Sequence, residues 1–132
     1  MRYLLDTNIC IYLIRCHPPA VLERFRDLAR GDVGMSVVTL AELRHGIEAL
    51  AIGRDQARQA LGELLAYIPA QAFDVEATAS YGVLAAAVRN RRRDALDRLI
   101  AAHAIRLGAT LVTNHESDFA DYPGLRIENW AR

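Results

Sequence analysis

The chain is 132 residues long, 52% hydrophobic and 24% charged, enough for one soluble domain that buries roughly two thirds of its unfolded surface with no disulfide or structural metal. Sixteen basic residues balance sixteen acidic ones, so no whole-chain field draws it to a polyanion, and nucleic acid would have to be met by a local patch. All sixteen cations are arginine, and the lack of lysine excludes a P-loop, a phosphorelay receiver pocket and Schiff-base chemistry, each of which needs that amine.

Tyr3-Leu4-Leu5 is a short apolar run closed by Asp6-Thr7-Asn8, the pattern of a buried strand that delivers an acid at its carboxyl end and caps a following helix over Ile9 to Arg15. The opening six residues end in an acid and hold no long apolar run, so neither a signal peptide nor a membrane span is expected, and the compartment expected is the cytoplasm. Cys10 and Cys16 lack metal-finger spacing and are expected as reduced thiols. Pro18 and Pro19 restart a second helix, apolar at Val21, Leu22, Phe25 and Leu28, ending near Gly31. Met35 to Val38 is β-branched and bounded by turn and cap signals, which predicts a second strand, with Thr39 capping a helix that carries Glu42 in its first turn.

A further amphipathic helix is predicted from about Arg54 to Ala66, then an extended stretch over Ile68 to Phe73. Asp74 caps a helix through Ala77, Tyr81, Leu84 and Val88 into the basic run Arg89 to Arg93, and Asp94 starts the most apolar helix, ending at Gly108. Ala109 to Thr113 is the next strand, Asn114 to Asp118 a polar loop, and Gly124 to Ile127 a last short strand. Strands alternating with helices predict an α/β fold around a parallel-rich sheet, whose site lies at the carboxyl ends of the strands, where Asp6, Thr113 and Asn114 fall.

Three acids stand out: Asp6 after the first strand, Glu42 after the second, and Asp97 among Leu96, Leu99 and Ile100. A carboxylate in poor water contact must pair with arginine, accept hydrogen bonds or bind a cation. Converging acids favour a hard divalent cation and phosphodiester hydrolysis, although an N-cap role for Asp6, a helix-dipole role for Glu42 and an arginine pair for Asp97 stay open from spacing alone. Asn8 stands where an aspartyl-nucleophile phosphatase needs a second Asp, and no GxSxG, HxxxH or HExxH is present.

Leu4-Leu5-Asp6-Thr7-Asn8, Ser36 to Leu43, Asp97 to Ala104, Leu111-Val112-Thr113-Asn114 and Gly124 to Trp130 together resemble the PIN-domain ribonuclease toxins of the VapC family, over essentially the whole chain. The resemblance implies a single PIN-like domain over residues 1–132, with about four to five short strands flanked by helices. It implies the toxin of a type II toxin–antitoxin system: an endoribonuclease dependent on Mg²⁺, with Mn²⁺ as substitute, homodimeric, neutralised by a VapB-type antitoxin in a complex that binds operator DNA. Asp6 and Asp97 are implied as metal ligands, Glu42 as a third acid, and Thr7, Asn8 and Thr113 as hydrogen-bonding groups behind them. His115 replaces the fourth acid frequent in the family, which implies one firmly held ion. His115 and Arg91, Arg92 and Arg93 are candidate RNA contacts. His103 is expected to be buried and hydrogen-bonded, while Tyr122 and Trp130 are either base-stacking or core residues. The alternative from another class is a catalytically weak PIN-like protein that acts by binding antitoxin and operator, or RNA.

Overall fold

The computed structural model describes residues 1–90 and 95–132. Five strands, β1 (Tyr3–Leu5), β2 (Val33–Ser36), β3 (Ala70–Gln71), β4 (Thr110–Val112) and β5 (Ile127–Glu128), form one sheet in the order β3-β2-β1-β4-β5. Every pairing is parallel, which requires a crossover between neighbours and explains why helices separate the strands. Those helices are α1 (Thr7–Arg15), α2 (Pro19–Arg26), α3 (Val37–Glu48), α4 (Arg54–Tyr67), α5 (Val75–Ala87), α6 (Ala95–Leu107) and α7 (Glu116–Phe119).

The period-two alternation of the central strands sorts the core into two layers. Tyr3 and Leu5 of β1 and Val112 of β4 pack with Ile9, Leu13, Val21, Leu43, Leu61 and Trp130 on the side of α1 to α4. Leu4 and Leu111 face the other way, against Leu84, Ile100, Ala101, Ala104 and Phe119. The alanines of α6 let that helix lie close to the sheet, as its apolar circumference predicts. In β2, a side chain at Gly34 would meet the Pro69 carbonyl at 3.2 Å, so the approach of the segment leading into β3 needs a glycine there.

Four sequence expectations need correction. The second strand spans Val33–Ser36, two residues earlier than predicted, because the Ser36 hydroxyl accepts from the Val38 backbone N–H at 3.1 Å and starts α3 at Val37. Local cap chemistry therefore overrides the β-preference of Val37 and Val38, and Glu42 moves to the second turn. The predicted loop over Asn114 to Asp118 contains the one-turn helix α7, and the last strand lies at Ile127–Glu128. Helix α2 stops at Arg26, well before Gly31. Tyr122 and Trp130 are buried; Trp130 meets Tyr3 edge-on, with ring centroids 5.3 Å apart, so both belong to the core and neither is free to stack on bases. Cys10 is buried and Cys16 exposed, both free thiols. Among the described residues no helix is long and apolar enough to cross a membrane.

Candidate active site

Three parallel strands end side by side at one rim, and the residues at or just after those ends begin the site. Asp6 follows β1, Ser36 closes β2 and leads into α3, and Thr113 follows β4. The Asp6 backbone N–H donates to the Val112 carbonyl at 3.0 Å, and that of Thr113 to the Glu128 carbonyl at 2.9 Å, so sheet hydrogen bonds fix the rim up to the acid itself.

Asp6 is only 5% exposed. One of its carboxylate oxygens accepts from the Ile9 N–H at 3.0 Å, which makes it the N-cap of α1 as its position predicts. That cap leaves the carboxylate incompletely compensated. Burial pushes the Asp6 carboxyl up from its ordinary value and Glu42 pushes the same way, against hydrogen bonds from the Thr113 hydroxyl and Ile9 N–H and the nearby His115 ring. Glu42 is half-buried, and its Oε1 accepts from the Thr7 hydroxyl at 2.7 Å, joining the start of α1 to α3. Asn8 Nδ2 lies 2.5 Å from His115 Nε2, while the His115 backbone N–H donates to Thr113 Oγ1 at 3.0 Å. Asp6, Thr7, Asn8, Glu42, Thr113 and His115 are thus assembled into one hydrogen-bonded and electrostatic group.

Asp97 lies in the first turn of α6. It is half-buried rather than immersed in the apolar helix, because the fully buried stretch of α6 begins only at Ile100. Its neighbours Leu96 and Leu99 share a surface depression with Val37, Ala41 and Glu42. Among the described residues no three His, Cys, Asp or Glu side chains stand close enough together to hold a metal ion. The donors do fit a hard divalent cation in kind, being carboxylate oxygens, and Asp6 is a buried carboxylate raised by desolvation beside a second acid, the charge arrangement a cation relieves. Glu116, the acid beside His115, is turned away: it accepts from Asn129 Nδ2 at 3.0 Å and pairs with Arg132 at 2.9 Å.

Arg91, Arg92 and Arg93 lie outside the described residues. His103 is fully buried, as its surroundings predict, with Nδ1 2.7 Å from Ser36 Oγ and its ring edge-on to Phe73. Sequence reasoning missed Tyr12, whose hydroxyl accepts from Asn114 Nδ2 at 2.7 Å and ties the loop after β4 to α1. It also missed the groove lined by Ile11, Ile14, Leu43, Ile47 and Leu50, which runs up to Thr7 and Glu42. Both arise from residues far apart in sequence, and only the recurrence of Leu and Ile on α1 and α3 gave a signal.

The family model described as PIN domain matches residues 3–125. The chain is 35% identical to ribonuclease VapC2 of Rickettsia felis, over 98% of each chain. It is 34% identical to the tRNA(fMet)-specific endonuclease VapC of Shigella flexneri, over 99% of each. The crystal structure of VapBC2 from Rickettsia felis bound to a DNA fragment from their promoter contains a chain that superposes with a TM-score of 0.90 at 34% identity, covering 98% of this chain and 99% of that one.

Proposed function

The chain belongs to the PIN-domain family, among its VapC ribonucleases, and from that premise we propose that Asp6, Glu42 and Asp97 hold one Mg²⁺ ion, or Mn²⁺ in its place, at which an RNA phosphodiester is hydrolysed. The observation that carries the reading is the buried, raised Asp6 carboxyl beside Glu42 at the rim of the sheet. Its ionised form is stabilised by a cation, and its oxygens are held in place by the Ile9 N–H and the Thr113 hydroxyl. A divalent ion there supplies charge neutralisation on the phosphate and acidifies water for in-line attack. Water adds to phosphorus, the bond to the leaving oxygen breaks, and the ends are a phosphate monoester and a hydroxyl. The Thr7 hydroxyl donates to one Glu42 oxygen, and the other would serve the ion.

Transfer RNA is the substrate class to try first, since the Shigella flexneri relative is named for tRNA(fMet). The partner proposed is a VapB-type antitoxin, with promoter DNA bound by the complex, as in the Rickettsia felis assembly. An apolar antitoxin segment suits the groove over Ile11, Ile14, Leu43 and Ile47, and its mouth at Thr7 and Glu42 makes occupancy inhibitory. A homodimer in the cytoplasm completes the proposal; Val37 and Leu96, 37% and 47% exposed beside Glu42, offer a second copy apolar surface.

The test is to incubate antitoxin-free protein with total RNA and with a tRNA(fMet) transcript, mapping new 5′ ends in Mg²⁺, in EDTA and with Asp97→Asn. Discrete ends that need Mg²⁺ and disappear with the variant are expected. A folded wild-type protein that binds antitoxin yet yields no new ends would overturn the nuclease reading in favour of action by binding alone.

A further inference from the structure

We propose that His115 is a substrate-binding residue whose ring, held by Asn8 at Nε2, donates a hydrogen bond from Nδ1–H to a non-bridging phosphate oxygen of the RNA. The inference rests on the nuclease reading above and deepens it. Three observations lead to it. An amide nitrogen carries only donors, so with the Asn8 amide turned to put Nδ2 2.5 Å from Nε2, Nε2 is assigned as the acceptor. The one remaining ring nitrogen, Nδ1, is then the N–H. A ring bonded this way is a fixed donor, whereas a free imidazole would present either tautomer.

The second observation is placement. The His115 backbone N–H donates to Thr113 Oγ1 at 3.0 Å, and the Thr113 hydroxyl in turn bonds Asp6, so the backbone of His115 is anchored two residues beyond the acid's own support. His115 is exposed, unlike Asp6, so the residue can be reached by a ligand as large as RNA. The third observation concerns the neighbouring acid. Among the described residues Glu116, the neighbouring acid, is engaged by Asn129 and Arg132, and an acid there would in any case repel a phosphate. A hydrogen-bond donor at this rim complements the phosphate that the carboxylates alone would oppose.

The test uses the full chain, a tRNA(fMet) transcript and four variants. Two-bond ¹H–¹⁵N spectra of the histidine rings should show the Nδ1–H tautomer at His115, and Asn8→Ala should return the ring to a mixture. His115→Ala should raise both KM and the Kd for the transcript, the latter measured in EDTA, about tenfold with kcat little changed, the effect of one hydrogen bond to a charged group. His115→Asn, whose amide nitrogen lies about where Nδ1 does, should recover most of that loss, and His115→Gln, which reaches only the Nε2 position, should not. An Nε2–H tautomer in the wild type, unchanged KM and Kd in His115→Ala, or rescue by Gln equal to rescue by Asn would each overturn the assignment. Absence of cleavage by a wild type that binds the transcript would sink the nuclease reading, and the Kd series would still decide His115.

Discussion

Asp6 and His103 are both buried polar side chains, 5% and 0% exposed, yet the fold treats them in opposite ways. His103, on α6, has its Nδ1 bonded to Ser36 Oγ and its ring packed against Phe73, and burial lowers its pKa so that it sits neutral. Asp6 has the Ile9 cap and the Thr113 hydroxyl, but a second carboxylate is set beside it and its pKa is raised. One group is buried in the form its surroundings favour; the other is buried with its charge opposed. A fold retains the second arrangement where something it binds reverses the penalty, and the contrast separates a structural polar residue from a functional one.

The change that breaks the comparison most sharply is Asp6→Asn. The amide retains an oxygen for the Ile9 cap and removes the charge that Glu42 opposes. RNA cleavage should fall by about a thousandfold or more, roughly 4 kcal/mol of transition-state stabilisation, while the melting temperature in EDTA at pH 7 rises by about 3–6 °C. Activity assays paired with thermal melts check both halves. A variant that loses activity and also melts earlier would show that Asp6 is needed for folding in the way His103 is.

His103→Ala is the mirror experiment and has the smaller expected effect. It leaves the buried Ser36 hydroxyl without its side-chain partner and opens a cavity beside Phe73, a loss of about 2–3 kcal/mol to be read as a lower midpoint in urea. Because His103 touches the rim only through Ser36 Oγ, at 2.7 Å, kcat measured well below the melting temperature should change less than about threefold. A large loss of kcat with unchanged stability would move His103 from the structural side of the comparison to the functional side.

The two residues also differ in how far sequence could reveal them. Asp6 was legible because strand end, N-cap and acid coincide in Leu5-Asp6-Thr7, and His103 because it interrupts an apolar helix. Strand and helix order, and the parallel sheet, followed from apolar runs alternating with helical periodicity. Partners were not legible: Thr7 meets Glu42 across 35 residues, His103 meets Ser36 across 67 and Asn8 meets His115 across 107, and no local pattern encodes such pairs. The misplaced start of α3 has the opposite cause. Val37 and Val38 favour a strand by a few tenths of a kcal/mol each, which the Ser36 cap outweighs. Asp97 was expected deeper than it lies because hydrophobic neighbours in sequence do not show where along a helix burial begins.

The smallest expected effect is the pH dependence of stability, where the two groups oppose one another. An Asp whose pKa is raised on folding leaves stability highest below its unfolded value of 3.8, and stability falls as pH rises from there through the folded pKa. A His whose pKa is lowered contributes stability that is complete above its unfolded value of 6.5 and lost as pH falls through the window below it. Asp74, lowered chiefly by the Ala77 N–H at its cap, acts only below 3.8. Above 3.8 the Asp6 slope is downward and below 6.5 the His103 slope is upward, so the two have opposite signs and work against one another in the metal-free wild type. Removing either should unmask the other. In urea midpoints at pH 4.5 and 6.5, Asp6→Asn should be more stable at the higher pH, and His103→Asn, which keeps a polar atom near Ser36, less stable there. Saturating Mg²⁺ should abolish the downward slope in His103→Asn, because the ion stabilises the ionised Asp6; a slope that persists at saturation would mean that Asp6 does not bind the ion.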